Sequence, residues 1–385
     1  MNIQYSLWLV GVILLSGCSW FGGDDADGEI KPADLKDIND EVSIVRVWSS
    51  SLTGADEKYR VSLRPSASEG KVFAANHQGD VFALGLAGGN KIWKTELGVS
   101  LSGGVGSGGG LVLVGSIEGK VYAINAANGT VSWERQMETE VLTAPQSNGN
   151  IVVVQTIDDK IYALRSDNGE ELWRHDGNAP ILSVRGTSSP LVTDNMVLAG
   201  FDSGKLVAFN TANGSLIWET RLALPKGRTE LQRMVDIDGD PLLVGDVIYS
   251  ASYQGRLGAI TRGTGRQLWS QESSSHQTPA FGGDKVFVTE ADDRIRAFEA
   301  GSGRGVWTND DLFLRRLTAP VIFGDYIAVA DSFGYLHLLN MEDGLFVGRT
   351  KLDSSGISAP MVVNADLLIV QANSGLVVSL HIEPR

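Results

Sequence analysis

The chain has a single cysteine, Cys18, in 385 residues, so no disulfide can form within it. Positive charge is scarce: 32 Lys and Arg stand against 46 Asp and Glu, for a net charge of −14. Nucleic-acid binding rests on a basic footprint, and anionic lipid attracts basic clusters. This balance provides neither. No apolar run reaches the roughly 20 residues that a bilayer-spanning helix needs; Leu7 to Leu15 is only nine long. After residue 42 no stretch sustains a 3.6-residue apolar period, so helices are not expected. The histidines (His77, His175, His276, His337, His381) are scattered without ligand spacing. No G-x-S-x-G nucleophile turn sits between a strand and a helix.

Tryptophan, by contrast, recurs with a period: Trp48, Trp93, Trp133, Trp173, Trp218, Trp269 and Trp307. A large residue returning roughly every forty positions marks a stacked repeat. Four residues before each Trp from 93 onward stands a glycine: Gly89, Gly129, Gly169, Gly214, Gly265 and Gly303. Glycine accepts the positive φ of a tight hairpin, and the Asn that often precedes it tolerates that region. Ahead of each turn lies an alternating apolar segment, such as Val81-Phe82-Ala83-Leu84 or Ile161-Tyr162-Ala163-Leu164. Another apolar segment precedes it, as in Ile151-Val152-Val153-Val154, and a proline turn precedes that. Period-two segments rich in β-branched and aromatic residues read as strands. Each unit therefore holds about four.

A second turn, at Gly79, Gly119, Asp159, Gly204, Gly255 and Asp293, keeps a constant spacing to its Trp. Gly334 keeps the same spacing to Gly348, so a seventh unit carries glycine in the Trp slot. The last unit starts at Pro360 and ends before any Trp strand, whereas Val45-Arg46-Val47-Trp48 is a Trp strand with nothing before it. The two ends complement each other. The expected fold is all-β: a closed ring of eight four-stranded antiparallel blades over residues 42–385, the terminal strands pairing in one blade. Closure removes ragged sheet edges. The tryptophans are expected to be structural, each ring packing on a neighbouring blade's backbone.

The N-terminus reads differently. Leu15-Ser16-Gly17-Cys18 resembles a bacterial lipobox, in which the cysteine is lipidated and becomes the mature N-terminus. Residues 1–17 would be the signal peptide, although they carry no Lys or Arg where such a segment is normally positive. Ser19 after the cysteine, by resemblance to sorted lipoproteins, implies the outer membrane, with the chain held by lipid on its periplasmic face. Residues 18–41, rich in Asp and Glu, read as a solvated tether spanning roughly 25 Å.

Several motifs carry less than they promise. Gly104-Val105-Gly106-Ser107-Gly108-Gly109 satisfies G-x-G-x-x-G, but a strand follows where dinucleotide binding requires a helix. Asp236-Ile237-Asp238-Gly239-Asp240 lacks the glycine and glutamate positions of an EF-hand. No catalytic residue, cofactor or metal site is expected. Two connectors between units are long and consecutive, one after Trp173 and one after Trp218. The first contains Pro180 to Gly186, with Leu182, Val184 and Arg185; the second runs from Arg228 to Asp240, with Leu231, Asp236 and Asp238. Long loops bearing apolar and charged residues side by side suggest a docking surface.

The unit G-x-[VIL]-[YF]-A-[LIF]…N-G-x-x-x-W resembles the quinoprotein-like (PQQ-type) eight-bladed propellers over residues 42–385. With the lipobox and the two long connectors, the chain is similar to the lipoprotein propellers of the β-barrel assembly machinery of Gram-negative outer membranes. That resemblance implies a non-enzymatic scaffold that binds the periplasmic POTRA domains of BamA, joins the rest of the assembly complex and assists barrel insertion. Its partner-contact segments, L-x-[LV]-R-G and D-x-D, correspond to Leu182, Val184 and Arg185, and to Asp236 and Asp238. The implied roles are apolar anchors, a fork-shaped donor, and carboxylates reaching across the interface. Two other readings stand beside it. A quinoprotein dehydrogenase would resemble enzymes with an adjacent cysteine pair, which one cysteine cannot supply. A binder of nascent outer-membrane strands would work by edge addition.

Overall fold

A computed structural model describes residues 31–52, 63–177, 188–225, 228–229 and 231–385. Leu182, Val184, Arg185 and Cys18 lie outside the described residues. The compact unit is Pro32–Arg385. It contains eight four-stranded antiparallel sheets. Seven are continuous in sequence, spanning 66–96, 101–136, 146–175, 191–221, 242–273, 280–309 and 321–351. The eighth joins the strands of 362–384 to Val42–Ser51. Val42 pairs with Pro384 and Ser51 with Leu376, so the chain's first strand is the outer strand of its last blade. The innermost strands of blades 1 and 8 are neighbours, as are those of blades 1 and 2 and of blades 7 and 8. The expected ring and its closure are both present.

Why each blade packs as it does follows from its residues. The two middle strands are buried on both faces: Val72 to Ala75 and Val81 to Leu84 in blade 1 expose nothing. They lie between neighbouring blades, so continuous apolar runs replace alternation. The outer strand, as in Lys91–Glu96, buries only its tryptophan. Opposite that Trp stands an alanine, in the pairs Ala83–Trp93, Ala123–Trp133, Ala163–Trp173, Ala208–Trp218, Ala259–Trp269 and Ala297–Trp307. The small partner leaves room for the large ring.

Each tryptophan then pins the next blade. Its indole N–H donates to a backbone carbonyl there: Trp93 to Ala126, Trp133 to Ser166, Trp173 to Thr211 and Trp218 to Arg262, at 2.8–3.1 Å. Its ring lies beneath that blade's hairpin glycine. At Gly214, with φ +70°, a Cβ would sit 2.6 Å from the Trp173 ring. Glycine is required there both by the turn and by the ring. Gly214→Ala should therefore cost about 2–4 kcal/mol, from overpacking and a left-handed backbone. Gly263→Ala, where a Cβ meets nothing within 4 Å, should change stability by less than about 0.5 kcal/mol. Paired thermal melts check this.

Blade 7 breaks the rule for a structural reason. The next blade takes its outer strand from Val42–Ser51, so no hairpin joins that strand to Leu376–Pro384 and no hairpin glycine is there to receive an indole. Gly348 fills the Trp slot, and its partner is Leu338 instead of alanine. A Cβ on Gly348 would sit 3.2 Å from Val42. The N-terminal segment occupies the space that a tryptophan takes elsewhere.

That segment begins earlier than expected. Residues 33–41 lie along blades 6 and 7 instead of standing free. Ala33 N–H donates to Phe313 O and Glu41 N–H to Val347 O. Arg315 donates to Ala33 O at 2.9 Å and Arg349 to Lys36 O at 2.7 Å. Lys36 pairs with Asp311, and Leu35 packs against the apolar cluster of blades 6 and 7. Arg315 is itself fixed by the fully buried Asp331, which also meets His337 at 3.1 Å. Of the segment 18–41, this part is docked by charged residues far away in sequence.

Candidate functional site

In every blade the turn between the two middle strands and the end of the outer strand lie at the same face of the ring. The second long connector and the described ends of the first, Gly177 and Ser188, therefore share a face. Of the first, the described part resumes at Ser188. The second threads across blades 4 and 5. Ile237 N–H donates to Phe201 O of the blade 4 turn, and Asp236 O accepts Tyr253 N–H of the blade 5 turn. Val235 and Ile237 are buried, and Gly200 and Gly204 make room for them. Leu224 and Leu231, in contrast, are 61% and 62% exposed. Beside Leu224 a groove is bordered by Arg221, Arg256, Glu272, Glu290 and Arg294. An apolar side chain displayed among charges is the local composition expected of a docking rim.

The acidic residues of this connector point elsewhere. Asp240 pairs with Arg64, which precedes blade 1 on the opposite side of the ring, and accepts Ser189 N–H at 2.7 Å. Asp236 is fully buried. Both carboxylate oxygens of Asp238 are enclosed and accept no hydrogen bond. Carboxylate oxygens of Asp202, Asp236 and Asp238 lie within 4.8 Å of one another. Asp159 joins from blade 3: one of its oxygens accepts Asp202 N–H at 3.4 Å, and the other is enclosed without a partner. Burial, then the neighbouring charges of Asp236 and Asp159, push Asp238 up to about 7. Burial also raises Asp159 to about 7, with Asp236 and Asp158 adding to it.

The structure thus brings Asp236 and Asp238 together, as the D-x-D spacing allows, but turned inward. Sequence reasoning missed Asp159 and Asp202. Asp159 left a trace: it stands in a slot that is otherwise mostly glycine, with φ +62°. The same exception at Asp293, φ +68°, is explained by two backbone amides, Arg316 and Leu317, donating to its carboxylate at 2.7 Å. These two sites predict opposite outcomes. At pH 8, above its raised pKa, Asp159 is ionised and its burial cost is fully present. Asp159→Gly should raise stability by about 1–3 kcal/mol in EDTA, removing that cost and the left-handed aspartate. Asp293→Gly should lower it by about 1–3 kcal/mol, because buried amides lose their acceptor. Denaturant unfolding of both variants decides.

The family described as outer membrane protein assembly factor BamB matches residues 77–309 and 291–383. The chain belongs to the BamB family. Outer membrane protein assembly factor BamB of Pseudomonas aeruginosa is 47% identical over 98% of this chain and 99% of that protein. The crystal structure of BamB from Moraxella catarrhalis superposes with a TM-score of 0.82 at 30% identity, covering 88% of this chain and 100% of that one. The quinohemoprotein alcohol dehydrogenase of Comamonas testosteroni has a TM-score of 0.68 at 12% identity, covering 88% of this chain and 76% of that one. That likeness concerns the fold alone. BamB relatives are named as assembly factors, and a shared architecture does not carry a shared function.

Proposed function

We propose that this chain is a non-enzymatic scaffold of the outer-membrane protein assembly complex, held by a lipid on Cys18 at the periplasmic face. Its partner is a POTRA-bearing barrel protein of the BamA type. The carrying observation is whole-chain membership of the BamB family, joined to a second long connector that crosses blades 4 and 5 on the face where the described ends of the first, Gly177 and Ser188, lie. Leu182, Val184 and Arg185 on the first connector act as anchors, with exposed Leu231 on the second. Asp236 and Asp238, being enclosed, act on the shape of the second connector and not by touching the partner. The ring supplies a rigid frame, so the loops lose little freedom on binding. Affinity purification of the full-length chain from detergent-solubilised envelope should recover the POTRA-bearing protein in near-equal amount. Recovery of the lipoprotein without any barrel-assembly component would overturn the reading.

A further inference from the structure

We propose that Asp202, Asp236 and Asp238 form a binding site for a divalent cation, with the size and hardness that suit calcium. Two turns of the fold build it. Asp202 comes from the blade 4 turn, closed by Phe201 N–H to Lys205 O, and the other two come from the connector tied to Phe201 and Tyr253. The geometry fits the ion. Oxygens within 4.8 Å of one another can be bridged by two calcium–oxygen bonds of about 2.4 Å, whereas magnesium demands near-ideal octahedral geometry and dehydrates reluctantly.

The second observation is independent of that clustering. Asp238 has both oxygens enclosed, and neither accepts a hydrogen bond. A buried carboxylate is ordinarily paired, hydrogen-bonded or bound to a metal. Asp238 has neither of the first two, and one of its oxygens lies within 4.8 Å of oxygens of Asp202 and Asp236. Asp159 stands behind, with an enclosed oxygen of its own. Oxygen-only ligation by carboxylates selects hard cations over zinc or copper. The EF-hand pattern is absent from the sequence because the ligands come from two separate loops. Bound there, the ion holds the second connector against blade 4. This inference does not rest on the docking proposal and is measured on the isolated chain.

The test is calorimetric titration of the chelator-stripped, full-length protein with calcium chloride and, separately, magnesium chloride. One calcium per chain is expected, with a dissociation constant at or below about 1 mM and magnesium at least about tenfold weaker. The melting temperature should rise with calcium in the wild type only. Asp238→Asn should bind at least about tenfold more weakly and, in EDTA, melt at or above the wild type, since a lone buried charge is gone. Should that variant not fold, Asp202→Asn carries the same binding test. No heat and no thermal shift at millimolar calcium would overturn the site, as would unchanged binding in both variants.

Discussion

Excising Val42–Ser51 is expected to abolish the folded monomer. That strand is the outer member of blade 8, paired with Leu376–Pro384 along its whole length. It carries Trp48, which is 7% exposed, donates to Leu86 O at 2.7 Å and lies beneath Gly89 of blade 1. Losing a buried tryptophan alone costs about 3–5 kcal/mol, a large share of the roughly 5–15 kcal/mol that holds a typical domain. Excision also bares a long strand edge, which invites pairing between chains. The excised protein should aggregate or elute as oligomers, with its cooperative thermal transition lost. Trp48→Ala, which keeps the strand, should lower stability by about 3–5 kcal/mol while preserving the monomer. A monodisperse, cooperatively melting excision product would show that the ring does not depend on its seam.

The combined substitution Leu182→Ala and Arg185→Ala is expected to weaken recovery of the proposed POTRA-bearing partner by about 100-fold in affinity. Interface energy concentrates in a few anchors, at about 2–4 kcal/mol for each strong one, and Arg and apolar anchors at the centre dominate. The same substitution should shift the melting temperature by no more than about 2 °C, because the ring's tryptophan pins and closure lie elsewhere. Loss of partner with loss of fold would mean that the connector is structural. Retained partner would move the interface off this connector.

The ring was legible because its determinants are local and repeated. Hairpin glycines, middle strands and tryptophans keep fixed offsets within each unit, and the incomplete end units reveal the closure. Even the meaning of the tryptophans could be read, since rings at one fixed place in each unit must meet equivalent surroundings. Gly348 was visible as an exception, but its cause needed the structure: blade 8 has no glycine hairpin to receive an indole. The docked segment 33–41 was illegible. It is mostly polar, and its partners Arg315 and Arg349 lie 282 and 313 residues away. The acidic cluster was half legible. Asp236 and Asp238 stand together in sequence, whereas Asp202 and Asp159 arrive from different blades, and only the ring places them there. Nor does spacing reveal direction: D-x-D suggests an outward pair, and the connector turns both carboxylates inward.

Site-specific photo-crosslinking in intact envelopes most directly tests whether attachment belongs to the connector face. A photoreactive residue replaces Leu231 on that face, or Leu216 or Leu345, which are 57% and 64% exposed beside the hairpin glycines of the opposite face. Crosslinks to the POTRA-bearing protein are predicted from position 231 and not from 216 or 345. Crosslinks from 216 or 345 with none from 231 would contradict the account.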